Sequence, residues 1–262
     1  MRIARFTTGG DPKYAIVDGD EGAEELIVLT GDPMYTPGNL TGERIPLTDN
    51  VRLLAPVIPR SKVVCLGKNY AEHAKEIKAR GPASEVPILF LKPNTAVIGP
   101  DDPIVMPSYS DDVQVEAELA IIISRVCRNV SAENAEDYIY GFTCANDVTA
   151  RDLQRQEDQW FRAKAFDTSL PLGPWIETEL AHDDVAILAR INGELRQDGN
   201  SKDMILDVPA AIAMISEIIT LLPGDVILTG TPKGVTRMQH GDIVEVEIED
   251  IGVLRNPVIR RD

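Results

Sequence analysis

The chain has 262 residues, is 44% hydrophobic and carries a net charge of −16 at pH 7. That charge, with a pI near 4.6, argues against nucleic acid and anionic membrane surfaces as partners. No run is long enough to span a bilayer and no secretory signal opens the chain, so the cytoplasm is the expected location. Three scattered cysteines, Cys65, Cys127 and Cys144, read as small buried hydrophobes rather than a zinc or disulfide framework.

In chain order, residues 1–57 form a small β-rich N-terminal domain, with 58–262 as the main domain. Tyr14–Val17 and Glu25–Leu29 look like a hairpin, and the Pro-, Gly- and Thr-rich stretch from Gly31 to Asn50 reads as loop. Lys62–Gly67 is a short buried strand. Asn69 is a good N-cap for a helix from Tyr70 to about Arg80, stopping at Gly81-Pro82. On that helix His73 and Glu76 are three apart and share a face. They read either as an exposed surface pair or as an imidazole oriented by a carboxylate, which is how a water-activating base is built. Pro87–Pro93 is an apolar strand with a proline at each end.

The stretch Gln114 to Ile123 is read as one core strand with both faces buried. Residues two apart share a face, so Glu116 and Glu118 point the same way. Two buried carboxylates side by side repel one another unless a cation joins them, and an all-oxygen site suits Mg²⁺, Mn²⁺ or Ca²⁺. The plainer alternative is chance spacing in an acidic chain. Glu245, Glu247 and Glu249 repeat the spacing on an amphipathic strand with a solvated acidic face.

Ser131 is expected to cap a helix running to about Tyr140. The strand Gly141–Asp147 then ends in an aspartate that could be a third metal ligand, the N-cap of a helix from Val148 to Gln154, or both. Arg151 and Gln154 share a face of that helix. Lys164, flanked by apolar residues, is either snorkelling or a poised cation. Pro171–Pro174 reads as a turn, Asn192-Gly193 as a type I′ hairpin turn, and Asp207 or Val208, with Pro209 in the first turn, as the start of a helix to about Leu221, apolar nearly all round and so buried. The Gly-rich corner Thr229–Gly234 offers backbone N–H groups to an anion, although it is not a Walker sequence.

Six ordered motifs resemble the fumarylacetoacetate hydrolase family: Gly67–His73, Phe90–Pro93, Glu116–Leu119, Asn146–Gln154, Ile191–Leu195 and Leu222–Pro232. The resemblance implies an α+β fold, mainly β, with a mixed β-sandwich roll as catalytic domain, usually in a homodimer. It implies a metal triad of Glu116, Glu118 and Asp147 holding Mg²⁺ or Mn²⁺, with Ca²⁺ able to replace them in crystals. It makes Lys164 the active-site lysine, places Arg151, Gln154 and Thr231 against substrate, and matches His73 and Glu76 to the dyad of the smaller members. The substrate class implied is an anionic 2-oxo acid. Hydrolysis of an acylpyruvate or decarboxylation of oxaloacetate ranks first, and isomerisation of a hydroxyheptadienedioate of aromatic catabolism second. A member that only binds ligand should lack a triad carboxylate, Lys164 or His73, and all are present.

Overall fold

The computed structural model describes residues 1–20, 22–48, 50–76 and 87–261. Among the described residues of the first 57 lie five strands: β1 (Arg2–Thr7), β2 (Lys13–Asp18), β3 (Glu25–Leu29), β4 (Leu40–Pro46) and β5 (Arg52–Leu54). The β2–β3 hairpin is as expected. The stretch expected to be loop contains β4, which pairs with β3 at the sheet edge. Its side chains are nearly all exposed, so no apolar alternation marks it. Backbone pairing draws it into the sheet, and an edge strand needs no buried face.

The chain continues through β6 (Val63–Gly67), α1 (Ala71–Glu76), β7 (Ile88–Lys92), β8 (Val97–Ile98), β9 (Ile104–Met106), β10 (Val113–Val115) and β11 (Ala117–Ile123). Then come β12 (Ile139–Asn146), β13 (Thr149–Ala150), α2 (Arg151–Gln156), α3 (Phe161–Lys164) and β14 (Leu170–Glu177). The last part holds β15 (Ala186–Ile191), β16 (Glu194–Asn200), α4 (Val208–Ile218), β17 (Val226–Leu228), β18 (Thr236–Arg237), β19 (Ile243–Ile248) and β20 (Gly252–Arg260). The fold is α+β and mostly β. Among the described residues one mixed sheet runs β4-β3-β2-β1-β14-β12-β11-β17-β6-β7. The N-terminal strands therefore extend the main sheet through the β1–β14 pairing. A second sheet runs β16-β15-β19-β20-β9, and a small third one β13-β10-β18.

Strand β11 is the axis of the core. Leu119, Ile121 and Ile123 pack in one cluster with Ile187, Ala189, Val246 and Ile248 of the second sheet. Ala120 and Ile122 pack on the other side with Cys65, Leu172 and Leu228. Both faces are buried, as its near-continuous apolar run predicts. The three cysteines are buried and free.

Several local expectations change. Beyond Glu76 the helix expected to reach Arg80, with its stop at Gly81-Pro82, lies outside the described residues. Asn69 does not cap α1. Its side chain accepts from the Leu206 N–H and donates to the carbonyls of Leu206 and Thr229. The segment after Ser131 is 3-10 helix over Ala132–Tyr138. Residues 171–174 lie within β14, where the facing register with β12 slips between Phe142 and Cys144; such irregularities are where strands tolerate proline. Asn192 and Gly193 both take positive φ, 53° and 79°, the type I′ geometry. Asp207 caps α4 through the Ala210 N–H at 2.9 Å. That helix ends at Ile218, buries a stripe of Val208, Ala211, Ile212 and Ile215, and leaves Ile218 exposed.

Asp225 ties the linker to β17. Its carboxylate, fully buried, accepts from Ser61 Oγ at 2.6 Å, the Lys62 N–H at 3.1 Å, Lys62 Nζ at 2.6 Å and the Leu222 N–H at 2.9 Å. Asp225→Ala orphans these donors. It should cost about 3 kcal/mol, the low end for a broken buried pair because Lys62 can turn to solvent; urea denaturation measures it.

Candidate active site

The expected strand over 114–123 is broken at Glu116, which lies between β10 and β11. The break has identifiable causes. The Glu116 N–H donates to Asn146 Oδ1 at 3.0 Å, and the Ala117 N–H to Gln197 Oε1 at 2.9 Å. The pairing Ala117↔Asn146 sets Glu116 beside Asp147, whose N–H donates to the Glu116 carbonyl at 2.9 Å. Antiparallel register thus joins Glu116 and Asp147, distant in the chain, and Glu118 follows on the glutamate face.

The three carboxylates are buried, and ligand atoms from all three lie within 4.8 Å of one another. Glu118 Oε2 accepts from the Gly230 N–H at 2.7 Å. Gly230 has φ +94°, and a Cβ there would stand 2.9 Å from the Leu66 carbonyl oxygen, so glycine is required where β17 turns under the site. Further along that corner the Gly234 N–H donates to both oxygens of Glu76 at 3.1 Å. Two N–H groups of this corner are thus engaged by the protein's own carboxylates.

Cations balance the cluster. Lys164 Nζ donates to Glu116 Oε2 and Asp147 Oδ2, each at 2.6 Å. Arg151 donates to Glu116 Oε1, to Gln114 Oε1 and to Gln154 Oε1. Burial pushes the Glu116 carboxyl up, but Lys164 and then Arg151 outweigh it and hold the group below the usual range. Burial also opposes the charge on Lys164, and Asp147 with Glu116 overcomes it and raises that ammonium. Among the described residues no cation pairs directly with Glu118. Burial, then the charges of Asp147 and Glu116, push its carboxyl well above the ordinary range.

The three carboxylates and Lys164 line a small cleft together with His73, Gln154, Thr231, Lys68 and Trp160. His73 is buried, with Nδ1 3.4 Å from Glu76 Oε2. Burial first, and Arg151 further on, lower its pKa against the pull of Glu116 and Glu76. Glu76 and Arg151 stand behind the cleft rather than in its wall. Arg151, expected against substrate, is 1% exposed and is engaged with Glu116 and two glutamines. The Thr231 hydroxyl donates to the Ala117 carbonyl and accepts from Gln197 Nε2, both at 2.8 Å. Asp147 caps no helix: Thr149–Ala150 is strand, and its carboxylate turns to lysines. A larger cleft of about 620 Å³ lies elsewhere, around His182, Lys202 and Pro209. It holds none of these groups, so chemistry and not size marks the site.

Reading the sequence missed Lys92, Gln114, Gln197, Trp160 and Lys68. Lys92 did leave a signal, a charged residue closing an apolar strand before proline. Gln197 left none, since it alternates on a polar hairpin strand.

The residues fit a divalent ion. All offered donors are carboxylate oxygens, the set a hard cation takes. Lys92 Nζ lies 2.9 Å from Asp147 Oδ1, off the direction of a hydrogen bond, so this buried oxygen accepts none. An ion between Glu118 and Asp147 would use it and relieve the repulsion that raises Glu118.

Residues 62–259 match the model of the fumarylacetoacetate (FAA) hydrolase C-terminal domain, and residues 1–56 that of the Rv2993c-like N-terminal domain. The chain belongs to the fumarylacetoacetate hydrolase family. It is 44% identical to a 5-carboxymethyl-2-hydroxymuconate delta-isomerase from Mycobacterium smegmatis, with all of both chains covered and a TM-score of 0.90. It is 42% identical to the human mitochondrial oxaloacetate tautomerase FAHD2A, over 80% of this chain and 70% of that one. It is 32% identical to maleylpyruvate hydrolase from Sphingobium sp. SYK-6, solved with manganese(II) and pyruvate, with all of both chains covered and a TM-score of 0.81. Among the described residues no helix is long and apolar enough to cross a membrane.

Proposed function

We propose that this protein is a divalent-metal-dependent enzyme that interconverts enol and keto forms of a short 2-oxo dicarboxylic acid such as oxaloacetate. The observation that carries this reading is the buried His73 imidazole in the wall of the same cleft as the oxygen triad and Lys164. A bound Mg²⁺ or Mn²⁺ would supply a Lewis acid for the 2-oxo and carboxylate oxygens of the substrate.

The chain's own groups do the rest. Glu116, Glu118 and Asp147 would hold the ion. Lys164, already between Glu116 and Asp147, donates hydrogen bonds where negative charge develops on substrate oxygen. Burial lowers the His73 pKa and so favours the uncharged ring; that ring takes a proton from the carbon next to the oxo group and gives it to the enolate oxygen, and the reverse order restores the keto form. Glu76, held by the Gly234 N–H, sets the ring's orientation. Gln154 and Thr231 line the cleft where the far carboxylate would lie.

The ranking given with the resemblance, C–C cleavage before isomerisation, is reversed here. The full-length likeness to an isomerase and the 42% likeness to a tautomerase both support proton transfer as the main reaction. Cleavage of an acylpyruvate is the second reading, supported by the likeness to maleylpyruvate hydrolase. It needs the same His73 to take its proton from water. The test follows the ultraviolet absorbance of enol-oxaloacetate with Mn²⁺, with and without chelator, alongside pyruvate release. Metal-dependent loss of enol faster than pyruvate appears is the expected result. No acceleration over buffer would sink the reading.

A further inference from the structure

Lys92 is a buried charged group that the proposed reaction does not use. It closes β7 with its side chain wholly out of water, an uncommon place for an ammonium unless every N–H is engaged. Here five oxygens surround it. They are the Lys164 carbonyl, the Ser169 carbonyl at 2.8 Å, Ser169 Oγ at 3.0 Å, the Val148 carbonyl at 3.4 Å and Asp147 Oδ1 at 2.9 Å. These come from three places: the turn after β12, the end of α3 and the turn into β14. The first carries Asp147 and the second carries Lys164.

We propose that Lys92 is a positioning residue that fixes Asp147 and Lys164 relative to each other and so builds the divalent-ion site. The proposal rests on the metal reading given above. Lys92 touches neither the cleft nor substrate. It acts through the backbone on either side of the lysine and the aspartate that do. Ser169 supports it, since its hydroxyl also donates to the Lys164 carbonyl at 2.8 Å.

The competing view is that Lys92 only offsets three negative charges. The two views predict opposite signs. A positive charge 2.9 Å from Asp147 Oδ1 repels an incoming cation, so if charge were all, Lys92→Met would bind Mn²⁺ more tightly. If Lys92 positions the ligands, the same variant binds Mn²⁺ more weakly although every carboxylate remains.

The experiment is titration of the full-length protein with Mn²⁺, read by the paramagnetic resonance of the free ion. Circular dichroism confirms that each variant is folded at the temperature used. Lys92→Met should raise the Mn²⁺ dissociation constant about ten- to a hundredfold, the usual loss when the outer support of a ligand is removed. Asp225→Ala, destabilised at a remote point, should leave it unchanged, which separates positioning from general loss of stability. Should Lys92→Met fail to fold, Ser169→Ala decides, with an expected rise of about two- to tenfold. Binding unchanged or tightened in the folded variant, with the unaltered protein binding Mn²⁺, overturns the role of Lys92 alone. No binding by the unaltered protein overturns the metal reading as well.

Discussion

Asp147→Asn should leave the protein folded, lower kcat for metal-dependent loss of enol-oxaloacetate by about a thousandfold or more, and weaken Mn²⁺ binding in parallel. A thousandfold is about 4 kcal/mol of barrier, within what a Lewis acid and its ligands supply. The substitution keeps the shape and one carbonyl oxygen but removes a charge that both Lys92 and Lys164 face. Two buried ammoniums then share fewer anions, so some stability is lost too, at most the 3–5 kcal/mol typical of a broken buried pair. Mn²⁺ titration and a thermal melt on the same sample separate the two effects. Activity within tenfold of the unaltered enzyme would mean that Asp147 is no ligand.

His73→Ala is the second large effect, and it should divide what Asp147→Asn joins. Mn²⁺ binding stays, while kcat for enol–keto exchange drops by about a hundred- to ten-thousandfold, the range for a positioned base. Any acylpyruvate cleavage should fall with it, because water then lacks its base. Pyruvate release from oxaloacetate should persist, since carbon dioxide leaves without proton abstraction. The pH profile carries the sign. A base works deprotonated, and burial lowers the His73 pKa. So kcat/KM should fall only as pH drops below the ordinary imidazole range, and that limb should be missing in the variant. A limb unchanged in His73→Ala would assign the proton to another group.

The legible parts of the site were those whose signal lies in adjacent residues. Glu116 and Glu118, two apart beside an unbroken apolar run, announced a shared buried face. Asp147 at the end of an apolar strand announced a carboxylate at a sheet end. The β2–β3 hairpin and the Asn192-Gly193 turn were readable because turn chemistry is local. Strand β4 was not, because an exposed edge strand has no apolar period. The partners of Lys92 and Gln197 were not, because they lie 55 or more positions away for Lys92 and 34 or more for Gln197.

By itself, then, the order of residues determined the kinds of group present: three carboxylates bound for the interior, a histidine with a glutamate one turn on, and an acidic chain that must attract its substrate locally. Only tertiary structure decided their partners. Antiparallel register put Asp147 beside Glu116, a left-handed glycine let Gly230 reach Glu118, and Arg151 was turned from the cleft to the back of Glu116. Charges buried together choose whichever neighbours cancel them at the least desolvation cost, and that choice depends on distances through space which chain position does not encode.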